Sequence, residues 1–432
     1  MTCCSFLFSR RKTACSAEHT TEIDDGMLLN FFNNYCAPSK MKPASRPGKC
    51  FQVPSMCIIC LQMFLIHTHF TEVSGIQNTK LFPYKELKMA TGNFHYSNKI
   101  GEGGFGVVYK GTFRDGTVAA IKVLSADSRQ GVREFLTEIN VIAHIEHENL
   151  VKLHGCCVEG NHRILVYGYL ENNSLAQTLL GGSDSSMQFS WSMRRNICLG
   201  VAKGLAFLHE EVRPYIVHRD IKASNILLDK NLMPKISDFG LAKLFPDNLT
   251  HISTRVAGTT GYLAPEYAIR GQLTKKADIY SFGVLLLEIA SGRCNTNRRL
   301  PVSDQYLLER AWDLHDQKQL AELVDVSMGG DCNKEEAHKF LKISLLCTQD
   351  MPKQRPSMSK VVKMLAGEEP VDEQNISRPR LLSEFMNLRA HKEKADLTSE
   401  GTSKEGILSS STENVTMSFA TMTFNSIYDR SN

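Results

Sequence analysis

The stretch HRDIKASNILL, residues 218–228, decides the fold and the chemistry that the rest of the sequence must support. It carries a carboxylate, a lysine and an amide at short spacing, followed by an apolar run. Asp220 can accept a proton from a hydroxyl, and Lys222 can stabilise a negatively charged group. Asn225 offers an amide oxygen, a ligand type that Mg²⁺ accepts. This order of residue types predicts a catalytic loop, and a chance surface loop is a poor explanation for it.

A second metal ligand is predicted at Asp238, which begins the sequence Asp-Phe-Gly. Hard divalent ions combine carboxylate and amide oxygens with the phosphates of a nucleotide. Asn225 and Asp238 therefore predict Mg²⁺ bound together with ATP, with Mn²⁺ as the alternative ion. No nucleophile is indicated beside His218, so we expect this side chain to pack in the core and not to act as a base.

A glycine-rich segment, GEGGFGVVYKG, begins at Gly101. Because they lack Cβ atoms, Gly101, Gly103 and Gly106 let a backbone approach phosphate oxygens closely. Dinucleotide-binding folds use the same spacing, but there a helix follows, whereas here the next residues alternate as a strand. The segment favours a phosphate loop of another kind, with Val108 covering a purine, and leaves a nucleotide-dependent oxidoreductase as a remote alternative.

Lys122 lies in the strand-like sequence AAIK, after the glycine-rich segment. A lysine that faces inward from a strand needs an anion. The phosphates of ATP supply one anion, and Glu138 on the next predicted helix supplies another. On this motif alone, an exposed strand lysine paired with a surface acid remains open.

Hydrophobic periodicity predicts an α+β protein, with a small sheet-rich lobe followed by a larger helical lobe. The predicted strands lie within 96–125 and near 151–158 and 163–169, and the clearest helices lie near 192–210, 275–292 and 335–348. The predicted divisions are 1–78, a mostly disordered segment with a lipid-anchored terminus; 79–94, an extension of the small lobe; 95–170, the small lobe; 171–367, the helical lobe; and 368–432, a disordered Ser/Thr-rich tail.

Composition narrows the classes of partner. A net charge of +4 does not predict a nucleic-acid binder, and 13 irregularly spaced cysteines favour a reducing compartment over a disulfide framework. No apolar run is long enough to predict a transmembrane helix. Cys3, Cys4 and Cys15 flank the basic residues 10–12, which predicts S-acylation beside a basic patch and a membrane surface as a partner. Ordinary thiols at the start of the chain remain the alternative.

Four further stretches carry a family resemblance. They are FPYKELKMATGNF (82–94), HENLVKLHGCCVEG (147–160), VAKGLAFLHE (201–210) and THISTRVAGTTGYLAPEYA (250–268). With the motifs above, they resemble the eukaryotic protein kinases and, more closely, the plant receptor-like kinase/Pelle family. Without an ectodomain or a spanning helix, the sequence is similar to receptor-like cytoplasmic kinases of the cold-responsive group. The resemblance implies the bilobal eukaryotic protein kinase fold, in which a small antiparallel β-sheet N-lobe with one long helix precedes a larger, mostly helical C-lobe.

The resemblance also implies a serine/threonine protein kinase of plant signal transduction. It implies protein substrates, an upstream receptor kinase and a cytoplasmic place at the plasma membrane. The residues that it implies for catalysis are Asp220, Lys222, Lys122, Glu138 and Thr259, the last bonding near the first two. Those that it implies for ATP are Ile100, Gly101, Glu102, Gly103, Gly104, Phe105, Gly106, Val108, Ala120, Lys122, Tyr167, Gly168, Leu170 and Leu227.

Regulation is predicted from Arg219, which precedes Asp220. An arginine at this place is typical of kinases whose activation loop is ordered by phosphorylation, because a phosphate can pair with it. Ser253 and Thr254 are the first predicted phosphosites and Thr250 is the next, while solvated loop hydroxyls are the alternative. A pseudokinase scaffold is the alternative function, and the full set of catalytic residue types argues against it.

Overall fold

The computed structural model describes residues 79–103, 106–125, 129–181, 187–301 and 304–379. The predictions made for residues 1–78, including the acylated cysteines, for Gly104 and Phe105, and for the tail from residue 380 lie outside the described residues.

The N-lobe is built on an antiparallel sheet of five strands in the order β1-β2-β3-β5-β4. The strands are β1 (Lys99–Gly103), β2 (Gly106–Thr112), β3 (Val118–Leu124), β4 (Leu153–Glu159) and β5 (His162–Gly168). In β3, Ala119 and Ile121 are buried on one face, while Lys122 lies on the other. An Asp-Gly turn joins β2 to β3, and in it the Asp115 carboxylate accepts a hydrogen bond of 2.9 Å from the Thr117 amide.

Two helices flank this sheet. Helix α1 (Tyr84–Ala90) belongs to the extension, and α2 (Arg129–Ile142) is the long helix of the N-lobe. The extension covers the outer face: Leu87 is fully buried, and the Tyr84 ring stacks on His162 at 3.8 Å. Helix α2 buries Phe135 and Ile139 against the inner face, as the 3.6-residue period predicts.

The C-lobe is helical around one central helix. Its helices are α3 (Leu175–Thr178), α4 (Trp191–Ala206), α5 (Pro265–Arg270), α6 (Lys275–Ser291), α7 (Leu307–Asp316), α8 (Lys334–Cys347) and α9 (Met358–Ala366). Helix α6 is buried on all sides from Ala277 to Ser291, as an almost wholly apolar helix should be. It begins after an N-cap hydrogen bond from the Lys276 amide to Thr274 and ends at Gly292, with φ +64°.

Short antiparallel pairs carry the loops of the C-lobe. The pairs are β6 (Tyr215–Val217) with β9 (Lys243–Phe245), β7 (Ile226–Leu228) with β8 (Pro234–Ile236), and β10 (Ile252–Ser253) with β11 (Gln272–Leu273). The β7–β8 hairpin places the end of the stretch 218–228 beside residues 234–236, which directly precede the Asp238 region. The predicted α+β class, with a small sheet lobe and a larger helical lobe, is confirmed.

The start of the tail differs from the prediction. Residues 368–379 were predicted to be disordered, but Arg378 forms ion pairs with Asp313 and Asp316 of α7 at 2.7 and 2.8 Å. Ile376 packs on the C-lobe core, and the Ser377 hydroxyl donates to Gln349 at 3.0 Å. A few spaced anchors are enough to order a polar segment, and periodicity does not reveal them.

Candidate active site

Lys122 meets two carboxylates on the inner face of the N-lobe sheet. Its Nζ atom lies 2.9 Å from Asp238 Oδ1 and donates a second hydrogen bond to Glu138 Oε1. The hydroxyl of Tyr167, from β5, donates to the other Glu138 oxygen. The structure therefore joins a strand, helix α2 and the Asp-Phe-Gly segment through one ammonium group.

The opposite charges of Lys122 and Asp238 keep both side chains ionised although they are partly buried. Burial alone would lower the pKa of Lys122, but the carboxylates of Asp238 and Glu138 outweigh burial and raise it. Burial would likewise raise the pKa of Asp238, but the Lys122 ammonium group holds it at about 2. Lys122 and Asp238 are therefore charged at neutral pH. For Glu138 burial is the largest effect, and it raises the pKa of this carboxyl although Lys122 acts to lower it.

The register of the sheet sets which predicted nucleotide residues share a face. Val108 pairs with Lys122, and Ala120 pairs with Tyr167. Directly opposite residues share a face, as do alternate residues of one strand, so these four side chains lie on the face from which Lys122 reaches Glu138.

The other predicted nucleotide residues are spread over both lobes. Ile100, Gly101, Glu102 and Gly103 lie in β1, Gly106 begins β2, Gly168 ends β5, and Leu227 lies in β7. Tyr167, Leu170 and Leu227 are partly buried and pack on the same C-lobe core cluster. The two lobes thus bring apolar side chains together where the chain passes from one lobe to the other.

The catalytic loop converges on Asp220. The Thr259 hydroxyl donates to Asp220 Oδ1 at 2.6 Å and accepts a hydrogen bond of 2.8 Å from Lys222 Nζ. Lys222 also lies 2.9 Å from Asp220 Oδ2. The Asn225 amide nitrogen donates to the backbone carbonyl of Asp220 at 2.8 Å, which leaves the amide oxygen of Asn225 for another partner.

The backbone of the loop is held from below by Asp278 of helix α6. Its carboxylate accepts hydrogen bonds from the amides of His218 at 2.7 Å and Arg219 at 2.8 Å, and His209 Nε2 lies 2.9 Å from it. His218 is fully buried, and its ring meets Phe239 edge-on at 4.8 Å. Its ring nitrogens contact the Ser237 carbonyl and the Asp220 amide, so among the described residues the geometry gives His218 a packing role and no contact with a nucleophile.

The predicted phosphosites lie on the segment after Asp238. Ser253 is exposed in β10, and Thr250 is exposed before that strand. Thr254 is partly buried, and its amide donates to the carbonyl of Gly271 at 3.1 Å. Ser253 thus lies in a short strand pair, and Thr254 directly follows its first strand.

Comparison with known proteins assigns the family. Residues 94–365 match the protein kinase domain family. The chain belongs to the protein kinases. It is 68% identical over 320 residues to Cold-responsive protein kinase 1 of Arabidopsis thaliana, which spans 74% of this chain and 82% of that protein. A probable leucine-rich repeat receptor-like serine/threonine-protein kinase of the same plant is 58% identical over 291 residues, which is 67% of this chain and 28% of the relative.

These findings confirm the resemblance to plant receptor-like kinases and the bilobal kinase fold. The chain is a serine/threonine protein kinase that acts on protein substrates, and its domain is one that uses ATP and a divalent metal. Within the part of the chain that the structure describes, no helix combines the length and apolar character needed to cross a lipid bilayer.

The structure adds residues of the kinase that the motifs do not contain. Glu134 lies one helical turn before Glu138 and is 1% exposed, and one of its carboxylate oxygens has no hydrogen-bond partner among the described residues. Burial raises its pKa to about 7. Glu288 of α6 accepts hydrogen bonds of 2.7 and 2.8 Å from the Tyr262 hydroxyl, and burial raises its pKa to about 7. The helical spacing from Glu138 gave a signal for Glu134, whereas no local pattern links Tyr262 to Glu288.

Proposed function

We propose that this kinase transfers the γ-phosphoryl group of Mg²⁺-bound ATP to Ser and Thr hydroxyls, with Asp220 as the group that receives the hydroxyl proton. The observation that carries this proposal is the arrangement of Lys222 and Thr259 around the Asp220 carboxylate, at 2.6 to 2.9 Å. These contacts fix the orientation of a carboxylate that must meet a substrate hydroxyl.

The proposed step is an in-line displacement. The substrate oxygen bonds to the γ-phosphorus, its proton passes to Asp220, and the bond from the γ-phosphorus to the bridging oxygen of ADP breaks. Lys222 lies beside this carboxylate and stabilises the charge of the moving group. The products are a phosphoserine or phosphothreonine and ADP.

Asn225 and Asp238 are the residues that would hold the metal. The amide nitrogen of Asn225 is engaged by Asp220, so its oxygen is the atom that remains for a cation, and Asp238 is ionised, with a pKa of about 2. A carboxylate and an amide oxygen suit Mg²⁺, with Mn²⁺ as the alternative ion, and nucleotide phosphates would complete the ligand set. When bound, the cation neutralises charge on the phosphates.

Lys122 and the inner face of the sheet would bind the nucleotide. The ammonium group is already oriented by Glu138 and Asp238, so it needs no new partner to remain charged beside phosphates. Val108, Ala120 and Leu227 would enclose the adenine, with the backbones of Gly168 and Leu170 at its edge. Gly103 supports this assignment, since a Cβ atom built there meets no atom of the described residues within 4 Å and leaves space for phosphates.

Loop phosphorylation is the proposed control. Ser253 and Thr254 are the first sites and Thr250 the next; Ser253 and Thr250 are exposed to an activating kinase. A receptor kinase is the proposed activator, because receptor-like serine/threonine kinases are among the relatives. A Ser253/Thr254→Ala variant is expected to turn over slowly, and unchanged turnover would contradict this control.

A peripheral location at the cytoplasmic face of the plasma membrane is proposed from the sequence. Cys3, Cys4 and Cys15 beside the basic residues 10–12 supply two weak attachment signals that together can hold a protein on a bilayer. An unchanged membrane fraction in a Cys3/Cys4→Ser variant would contradict it.

The decisive experiment compares the full chain with Asp220→Asn and Lys122→Met in Mg²⁺-ATP. Transfer to Ser and Thr of the chain itself and of a basic protein should fall about 100-fold or more in both variants. ATP should still raise the unfolding temperature of Asp220→Asn. If the wild type is stabilised by ATP but transfers no phosphate even after its loop is phosphorylated, the protein is a scaffold.

A further inference from the structure

The hydroxyl of Tyr267, on helix α5, links the catalytic loop by hydrogen bonds to the activation segment, the stretch from Asp238 to Glu266. Tyr267 is 1% exposed. Its hydroxyl accepts hydrogen bonds from Arg219 Nε at 3.0 Å, Arg219 Nη2 at 2.6 Å and the Ala257 amide at 2.9 Å, and it donates to the Arg255 carbonyl at 3.3 Å. One side-chain oxygen therefore contacts two segments that are far apart in the sequence.

Arg219 is buried, with 8% exposure, and its Nη1 and Nη2 atoms make two further hydrogen bonds. Nη1 donates to the Leu241 carbonyl at 3.1 Å, and Nη2 donates to the Arg255 carbonyl at 2.8 Å. Among the described residues, every hydrogen-bond acceptor of this guanidinium group is uncharged. A buried cation is ordinarily stabilised by an anion beside it. Here the Tyr267 hydroxyl and two backbone carbonyls stabilise the guanidinium group instead, through hydrogen bonds.

The segment that Tyr267 holds leads directly to the reacting carboxylate. Ala257 is two residues before Thr259, whose hydroxyl donates to Asp220 at 2.6 Å. Between them, Gly258 lies against Arg219 so closely that a Cβ atom would come within 2.5 Å of the Arg219 carbonyl oxygen. A displacement of residues 255–259 would therefore carry Thr259 away from Asp220.

We propose that Tyr267 is a positioning residue for phosphoryl transfer, whose hydroxyl holds Arg219 and residues 255–259 in the catalytic arrangement while the activation loop carries no phosphate. A phosphate on Ser253 or Thr254 brings negative charge next to Arg255 and takes over part of this holding. Tyr267 therefore sets the basal activity of the unphosphorylated kinase. This inference rests on the proposed control by loop phosphorylation.

The test compares Tyr267→Phe with the wild type in two forms of the full chain, one treated with phosphatase and one phosphorylated at Ser253 and Thr254. In the unphosphorylated form, kcat should fall about tenfold, because the hydrogen bonds of the hydroxyl with Arg219 and with residues 255 and 257 are lost, while the KM for ATP stays within about twofold. In the phosphorylated form, the fall in kcat should be about threefold or less. The matched control is Tyr215→Phe, which removes a hydroxyl but keeps a ring that lies under Arg213 and Lys275.

Equal losses of kcat in the two forms would overturn the proposal, because a merely structural hydroxyl would affect both forms alike. An unchanged kcat in the unphosphorylated form would also overturn it. If Tyr267→Phe does not fold, Arg219→Lys tests the same contact, because lysine keeps the charge but cannot present the fork. The same selective loss is then expected, and equal losses would again overturn the proposal. Equal activity of the two wild-type forms would instead count against loop control, independently of the result for Tyr267.

Discussion

Arg355 donates two parallel hydrogen bonds to the carboxylate of Glu266, each 2.8 Å long. The arginine is 1% exposed, and it also donates to the backbone carbonyls of Gln349, Lys276 and Asp350. Glu266 stands in the first turn of α5, one residue before Tyr267. This ion pair therefore fixes the helix that closes the activation segment.

Replacing Arg355 should destabilise the kinase strongly. In Arg355→Met, the Glu266 carboxylate and three carbonyls lose their partner, so the free energy of unfolding should fall by about 3–5 kcal/mol in denaturant unfolding. Glu266→Gln is the matched control, because an amide retains part of the hydrogen bonding, and its loss should be about 1–3 kcal/mol. A loss below about 1 kcal/mol for Arg355→Met would show that the pair is not an anchor.

The Thr259 hydroxyl should matter for turnover and not for ATP binding. Thr259→Val keeps the shape of the side chain but removes the hydrogen bonds with Asp220 and Lys222. We expect kcat to fall about 10- to 100-fold, with the KM for ATP nearly unchanged, in steady-state peptide phosphorylation. Thr259→Ser keeps the hydroxyl and should retain most of the wild-type kcat. Thr260→Val changes the exposed neighbouring threonine and controls for the substitution itself; a similar loss there would remove the special role of Thr259.

Local patterns in the sequence predict the elements of this kinase well. The alternation in 96–125 and the apolar spacing in α2 arise from burial of one face, so they appear directly in the order of residues. The motifs likewise predict the partnership of Lys122 with Glu138, and the structure brings these two side chains together. Contacts of this kind could be predicted because each motif supplies a charged group that needs a partner. The motifs do not predict the contact of Lys122 with Asp238, because they assign Asp238 to a metal.

Contacts in which one partner is a neutral tyrosine, distant in the chain, could not be predicted in this way. Tyr267 and Arg219 are 48 residues apart, and Tyr167 and Glu138 are 29 apart. A tyrosine gives the same sequence signal whether its hydroxyl is hydrogen-bonded or not. The left-handed backbone of Arg219 and Asp238, with φ +72° and +66°, is also imposed by the surrounding fold, because neither residue type demands it.

Glu288 should make stability depend on pH. Its pKa is about 7 in the folded protein and near the ordinary value of 4.5 in the unfolded chain. Between these values the unfolded chain releases the proton and the folded protein keeps it, so the contribution of Glu288 to stability is greatest at or below about pH 4.5 and falls as pH rises to 7. The loss is about 3 kcal/mol by pH 7 and does not grow above it.

The measurement is the free energy of unfolding from pH 5 to 8 for the wild type and Glu288→Gln. Glutamine can still accept from Tyr262 and from the Asn295 amide, so the fold should survive, while the fall in stability with pH should be smaller by about the amount above. Only the difference between the two proteins is read, because Glu134 titrates in the same range. Glu335→Gln, an exposed position on α8, is the control, and a parallel pH profile for wild type and Glu288→Gln would contradict the assignment.

Alanine substitutions at Gly103 and Gly106 should have different effects, although both residues belong to the glycine-rich segment: the first should weaken nucleotide binding and the second should destabilise the fold. A Cβ atom on Gly106 would lie 2.2 Å from the Val123 carbonyl oxygen, whereas one on Gly103 would meet no part of the chain that the structure describes within 4 Å. Gly106→Ala should therefore lower the free energy of unfolding by about 1–3 kcal/mol without any nucleotide, because β3 must move to accommodate the methyl group. Gly103→Ala should leave that value within about 0.5 kcal/mol of wild type but weaken the stabilisation by Mg²⁺-ATP, since the methyl group enters space proposed for phosphates. Unfolding curves with and without Mg²⁺-ATP measure both effects, and a Gly103→Ala protein with normal nucleotide stabilisation would show that the phosphates do not approach this residue.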